Sequence, residues 1–297
     1  MGAAARQRQE LEQDLSLALA AGQFTLHYQS RVAVGSGEIT GFEALVRWNH
    51  PERGLIAPGA FIAVAEESGL ITRLGEWVLY EACRAAAAWP DPIGVSVNVS
   101  PVQLRNAALF KVVTGALAAS GLAPDRLELE VTETAMLNDS GAVLPVMRRL
   151  RALGVRIVPD DFGTGFSSLT PRHGFLFDGI KIDRSFIQDL EHEPKSLAIV
   201  RAVIGLGVSL NIPVIAEGVE TRAQLAILAR EQCQLVQGFR FSRPVAGGGG
   251  QPVAAGAPPG RGRERNAGVV RVSGVTPDRM MLYGLGRFVK FQRAFHV

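Results

Sequence analysis

The chain has 297 residues, 47% hydrophobic and 20% charged, which excludes a disordered protein and allows one large core. Its formal net charge of +3 is uneven: beyond Ala246, eight basic residues (Arg261, Arg263, Arg265, Arg271, Arg279, Arg287, Lys290 and Arg293) face only Glu264 and Asp278, so the remainder carries about −3 and gives no reason to expect DNA or RNA binding by the body. Cys83 and Cys233 lie far apart with no metal-ligand spacing, and no apolar run approaches the ~18–20 residues that span a bilayer, so a reduced, cytoplasmic protein is expected.

In chain order, the first element is a helix over Gln9–Ala21, with Leu11, Leu15, Leu17 and Leu19 among polar residues. Two β-rich runs follow, Phe24–Gln29 and Gly41–Arg47, then helices near Phe61–Glu67 and Leu70–Ala88. Six more β-rich runs are Gly94–Ser100, Leu127–Glu133, Arg156–Asp161, Gly179–Asp183, Pro213–Val219 and Leu235–Phe239. Between them, Ser100 before Pro101, and Thr221 with Gln224 three residues on, are helix-start signals. Strands alternating with helices predict a mostly parallel α/β fold. Eight of them suggest a closed barrel, although periodicity alone is also compatible with an open doubly wound sheet. The organisation expected is a helix and linker over 1–22, one domain over 23–245, and a basic tail over 246–297. That tail opens with a Gly/Ala/Pro-rich linker, Ala246–Pro259, and is expected to be disordered or irregular.

Polar residues recur at the ends of these runs: Gln29, Glu43, Asn98, Glu130 with Glu133, Asp160 with Asp161, Lys181 with Asp183, Glu217 with Glu220, and Gln237. One carboxylate near a strand end is usually solvated or ion-paired; the recurrence is what carries information. The ends of parallel strands converge on one barrel face, where so many carboxylates need raised pKa values or a cation. The donors are hard oxygen and amide groups, and the five histidines form no pair at ligand spacing, which favours Mg²⁺ or Mn²⁺ over zinc or haem iron.

At these residues the sequence resembles the EAL-domain family of cyclic di-GMP (c-di-GMP) phosphodiesterases, over about Leu11–Val245. The motifs are Tyr28-Gln29, FEALVRW (Phe42–Trp48), HP-x-x-G-x-I-x-P (His50–Pro58), AEESGLI (Ala65–Ile71), VNVS (Val97–Ser100), ELEVTE (Glu128–Glu133), DDFGTGFSSL (Asp160–Leu169), KIDRSF (Lys181–Phe186), AEGVE (Ala216–Glu220) and QGF-x-FSRP (Gln237–Pro244). The resemblance implies a TIM-like (β/α)8 barrel and a hydrolase that opens c-di-GMP to linear pGpG with two Mg²⁺ or Mn²⁺ ions per site. It implies that Glu43, Asn98, Glu130 and Asp160 hold one metal, and that Asp160 and Asp161 serve the second. Glu217 is implied as a further metal or water ligand and base, and Lys181 as the holder of the attacking water or phosphate. Gln29, Arg47, Asp183, Glu220 and Gln237 resemble substrate contacts. Glu133 resembles the anchor of a loop, Asp161–Ser168, that supports dimer contacts, so a homodimer is expected.

The N-terminal helix resembles the linker that often follows a diguanylate-cyclase-type domain, which implies relatives in which the barrel is fused to or regulated by such a domain or a sensor. Ser30 stands where the family commonly has proline, Pro159 where it has an apolar residue, and Thr170–Leu176 replaces a helix that is expected to be shortened here. The competing reading is an inactive EAL-type protein that binds c-di-GMP, or a partner, without hydrolysis.

Overall fold

The computed structural model describes residues 2–132, 135, 140–162 and 177–247, all within the first of the two units into which the chain divides, Met1–Pro258. Glu133, residues 163–168 of the expected loop, segment 170–176 and the tail from 248 lie outside the described residues.

Ten strands form one sheet: β1 (Phe24–Ala33), β2 (Ile39–His50), β3 (Gly54–Ile56), β4 (Gly94–Val99), β5 (Leu127–Thr132), β6 (Arg156–Asp160), β7 (Ile180–Ile182), β8 (Val214–Ala216), β9 (Leu235–Gln237) and β10 (Val245–Ala246). Eight run in the order β6-β5-β4-β2-β1-β9-β8-β7, with β3 added to β2 and β10 to β1. The arc β2-β4-β5-β6 is parallel, as is β7-β8-β9. A parallel bridge between Phe162 and Ile182 brings the two ends of the order together, so the barrel is nearly closed.

Among the eight barrel strands, one is not parallel to its neighbours, in keeping with a mostly parallel fold. β1 is antiparallel to both β2 and β9. Gln29 therefore does not reach the site from the end of a parallel strand; it lies within β1, paired with Glu43 of β2. The reversal was hidden because a reversed strand has the same two-residue alternation as a forward one. The last strand includes Ala246, one residue into the segment read as linker, and the Gly247 N–H continues the contact by donating to Leu26 O at 3.1 Å.

The helices are α1 (Gly2–Ala20), α2 (Ile62–Glu67), α3 (Ile71–Ala87), α4 (Pro101–Leu104), α5 (Leu109–Ser120), α6 (Ser140–Ala152), α7 (Arg184–Gln188), α8 (Pro194–Leu210) and α9 (Arg222–Arg230). Both start signals are realised as full capping boxes, Ser100 with Gln103 on α4 and Thr221 with Gln224 on α9. In α3 the buried positions Ile71, Leu74, Val78, Leu79, Ala82 and Ala86 recur at helical spacing and form one apolar stripe.

Two apolar clusters lie outside the barrel wall. The larger joins Phe42, Ala44, Val95, Val97, Val99, Leu127, Leu129, Val131 and Ile157 to α1, α3 and α5, with Phe24, Trp48 and Phe61 in ring contact. The smaller joins Ile180, Ile182, Val214, Ala216 and Val236 to α8 and α9. Strand side chains alternate, so the residues between these face the barrel interior. The described interior is mostly polar. It holds Gln29, Arg31, Glu43, Ser96, Asn98, Glu128, Glu130, Asp160, Lys181 and Gln237, and buried Val158 and Ile215 belong to neither outer cluster.

Asp178 fastens the seam between β6 and β7. Its backbone N–H donates to Ile157 O at 2.8 Å, its Oδ2 accepts the Ile157 N–H at 3.0 Å, and Arg151 grips both carboxylate oxygens at 3.0 and 2.8 Å. β6 is an end strand of the sheet order, which is where a proline such as Pro159 is tolerated. Asp178→Ala removes a bidentate ion pair and leaves the Ile157 N–H without an acceptor. We expect a loss of about 2–3 kcal/mol in urea unfolding, with Asp178→Asn losing less; a change below about 0.5 kcal/mol would show that the seam is held elsewhere.

Candidate active site

The site is built around Lys181, the middle residue of β7, which is 1% exposed. Its Nζ donates to Glu130 Oε2 at 2.6 Å, lies 3.3 Å from Asp160 Oδ1 and 4.0 Å from Glu43 Oε1, and is in ionic contact with Glu217 Oε1. Lys181 is thus the common partner of carboxylates from β2, β5, β6 and the turn after β8. Glu43 is held from two further sides. Asn98 Nδ2 donates to its Oε1 at 2.7 Å, and Gln237 Nε2 donates to its Oε2. Gln237 also reaches Gln29 Oε1 at 3.2 Å, and Gln29 Nε2 donates to Ser242 O at 3.0 Å.

The structure therefore brings together Gln29, Glu43, Asn98, Glu130, Asp160, Lys181, Glu217 and Gln237. Asp161 follows in the left-handed region at φ 56°, its N–H donating to Asp160 Oδ1 at 3.0 Å, so the two neighbouring carboxylates leave the strand differently. Asp183 and Arg47 flank this group: Asp183 is hydrogen-bonded to Asp161, and Arg47 lies within electrostatic reach of Glu43. Asp183 is the N-cap of α7, its Oδ1 accepting the Ser185 N–H at 3.0 Å, and the Arg47 guanidinium donates to Val46 O at 2.9 Å. The Glu220 N–H is held by Gln224 Oε1 at 2.8 Å. Glu220 lines a cleft of about 200 Å³ with Gln29, Glu43, Glu217, Gln237 and Phe239.

Electrostatics follow from this crowding. Burial opposes the charge on Lys181, but Glu130, Glu217, Glu43 and Asp160 together hold its pKa well above the ordinary lysine range. Burial also pushes Glu43 upward, yet Lys181, Asn98 and Gln237 outweigh it and keep this carboxyl below its ordinary value. Glu130 is raised by burial and by Glu43, Asp160 and Glu128, against the pull of Lys181. Burial, opposed by Lys181 and supported by Asp160 and Glu43, takes Glu217 to about 8. Asp161 rises to about 6 through burial, then Asp160 and Asp183. These groups titrate as a cluster that retains protons because carboxylates outnumber cations.

The donor set suits a hard divalent cation: carboxylates and a side-chain amide, without sulfur or imidazole. Buried Glu217 Oε1 touches Lys181 but receives no aligned hydrogen bond, leaving an acceptor under-satisfied. Among the described residues, no three His, Cys, Asp or Glu side chains already surround one point as a finished cation site. The Lys181 ammonium occupies the middle of the carboxylates instead.

Several contributors were missed by sequence reasoning. Ser242 fixes both Gln29 and Ser30: the Ser30 N–H donates to Ser242 Oγ at 3.1 Å and the two hydroxyls lie 2.8 Å apart. Serine at position 30 thus uses an N–H that proline lacks. Gly238 lets the Val219 backbone approach, since a Cβ there would lie 2.2 Å from Val219 O. Arg184, Gln188 and Leu45 also line the cleft. Ser242 stands within the quoted QGF-x-FSRP motif, but its residue type alone did not mark it as a partner of Gln29.

The EAL domain family profile matches residues 12–244. An uncharacterized signaling protein of Caulobacter vibrioides is 52% identical over 240 residues, 81% of this chain and 30% of that one. The bifunctional diguanylate cyclase/cyclic di-GMP phosphodiesterase MucR of Pseudomonas aeruginosa is 45% identical over 249 residues, 82% of this chain and 36% of that one. The chain thus spans about a third of the length of these curated relatives. Among solved structures, the PaMucR phosphodiesterase in complex with c-di-GMP gives a TM-score of 0.75 at 44% identity, covering 80% of this chain and 97% of that one. The calcium/c-di-GMP complex of Klebsiella pneumoniae BlrP1 gives 0.69 at 30% identity, covering 78% and 58%.

A pH dependence of stability follows from the raised carboxyls. The folded pKa values of about 8 for Glu217 and about 6 for Asp161 stand above their ordinary values of 4.5 and 3.8. Between those limits the folded chain binds more protons than the unfolded one, so the stabilisation present at low pH is lost as pH rises through the folded values. With EDTA present, the urea midpoint is expected to fall from about pH 5 to about pH 8. A midpoint that is flat or rises over that window would contradict the charge arrangement.

Proposed function

This chain belongs to the EAL domain family, and from that premise we propose that it is a cation-dependent phosphodiesterase that hydrolyses c-di-GMP to linear pGpG. The observation that carries the reading is the convergence of Glu43, Asn98, Glu130, Asp160 and Glu217 around the buried Lys181, next to an open cleft. The relatives named as c-di-GMP phosphodiesterases and the c-di-GMP-bound structures supply the substrate class.

Glu43, Asn98, Glu130 and Asp160 would hold one Mg²⁺ or Mn²⁺, and Asp160 with Asp161 and Glu217 a second. When bound, such ions acidify a water and stabilise charge on the reacting phosphate. The chain's own groups do the rest. Lys181 carries a fixed positive charge at the centre, suited to a phosphate oxygen or to orienting the attacking water. Once ionised, Glu217 Oε1, the acceptor without an aligned hydrogen bond, takes the proton of the water whose oxygen adds to phosphorus; the bridging P–O bond breaks, and the ribose oxygen leaves as a hydroxyl of the linear product, its proton supplied by solvent. Gln29 and Gln237 position Glu43 and, with Glu220, border the substrate. Arg47 and Asp183 are assigned as further substrate contacts, Arg47 through its planar guanidinium to a phosphate. A homodimer belongs to the same proposal.

The test is to incubate the purified chain with c-di-GMP and Mg²⁺ or Mn²⁺, separate the products by chromatography, and repeat with EDTA and with Glu43→Ala. We expect pGpG in the presence of cation, lost with EDTA and reduced about a hundredfold or more in Glu43→Ala. Tight binding without product under either cation would replace the enzyme with a c-di-GMP receptor. Neither binding nor cleavage would end the reading.

A further inference from the structure

One buried ion pair in the barrel interior has no part in the chemistry above. Arg31 of β1 donates from Nη1 to Glu128 Oε1 of β5 at 2.5 Å, with both side chains under 10% exposed. Arg31 is paired in register with Gly41 of β2, at the level where β2 meets Gly94 of β4. The floor of the barrel is tight here: a Cβ on Gly41 would lie 3.1 Å from Arg31 Nη2 and 3.0 Å from Gly94 O. Arg31 Nε is buried with no hydrogen-bond partner. An apolar pair of similar volume would do as well for stability, because two desolvated charges with an unsatisfied donor gain little from each other. Stability alone therefore does not explain the pair.

Charge placement does. Glu128 and Glu130 are alternate residues on the inner face of β5, about 6–7 Å apart along the strand. Among the described residues, Arg31 and Lys181 are the only buried Lys or Arg side chains. Without Arg31, Glu128 would be a buried, unpaired carboxylate, and Lys181, with its long flexible stem, would be the one buried basic group left to neutralise it. We infer that Arg31 is a positioning residue: by neutralising Glu128 at the barrel floor, it keeps Lys181 at the height of Glu130, Asp160 and Glu217. The inference rests on the phosphodiesterase reading only for its functional consequence; the position of Lys181 stands apart from it.

The test uses the full chain with Arg31→Met, alone and combined with Glu128→Gln, each read by crystal structure and by c-di-GMP turnover. In Arg31→Met we expect Lys181 Nζ within about 4 Å of Glu128, with kcat down about tenfold to a hundredfold. In the double variant Lys181 returns to Glu130 and kcat to within about twofold of the unmodified chain. Recovered stability in the double variant is expected of a merely structural role too, so the position of Lys181 in folded Arg31→Met is the readout that separates the two. The inference is overturned if Lys181 stays on Glu130 in Arg31→Met, or if the double variant is folded and as impaired as the single. Should Arg31→Met fail to fold, Arg31→Gln takes its place with the same readout: Lys181 drawn toward Glu128 supports the inference, and Lys181 still on Glu130 overturns it. Should the unmodified chain not hydrolyse c-di-GMP, the proposed function falls, and the Lys181 position in the variant still decides the inference.

Discussion

Burying carboxylates is expensive unless each finds a cation or a set of hydrogen bonds, and this barrel places Glu43, Glu128, Glu130, Asp160 and Glu217 around an interior in which, among the described residues, Arg31 and Lys181 are the buried basic partners. The fold answers by partition. Arg31 takes Glu128 at the floor, and Lys181 serves the others near the open end. Asn98 and Gln237 add hydrogen bonds to Glu43, which stays ionised, while burial keeps a proton on Glu217 despite its contact with Lys181. What remains is an electrostatic deficit that a divalent cation would relieve, in a site whose donors are oxygen and amide groups.

The scaffold makes that deficit tolerable. Both apolar clusters lie outside the barrel wall, so the strands are anchored by their outward side chains and the inner face is free to be polar. β1 contributes by running backwards: the reversed register lays Gln29 against Glu43 and Arg31 against Gly41, and puts the amide layer and the floor cation on one strand. Asp178 and the Phe162–Ile182 bridge then close the wall beside Lys181, so that its partners on β5 and β6 are held at fixed distance.

Much of this was legible in the sequence. The alternation in Leu127-Glu128-Leu129-Glu130 already puts both glutamates on one face of a strand, and the capping boxes at Ser100 and Thr221 appear where the residue types required them. Glu43, Asn98, Glu130, Asp160, Lys181 and Glu217 were recognisable because each ends or interrupts an apolar run. The direction of β1 was not legible, since alternation carries no polarity. Nor was the Arg31–Glu128 pair, because 97 residues separate its members and each alone reads as an ordinary strand charge. The local roles of Asp183 and Arg47 were not legible either: Asp183 caps α7 as well as bonding Asp161, and the Arg47 guanidinium bonds its own strand at Val46.

The central claim is that the carboxylates around Lys181 form a cation-dependent site for a cyclic dinucleotide phosphodiester. The most direct measurement is a crystal structure of this chain with c-di-GMP and Ca²⁺. The account predicts cation density bounded by Glu43, Asn98, Glu130 and Asp160, with Lys181 shifted from Glu130 toward a phosphate oxygen. Nucleotide bound with Lys181 still paired to Glu130, and no cation among those side chains, would contradict it.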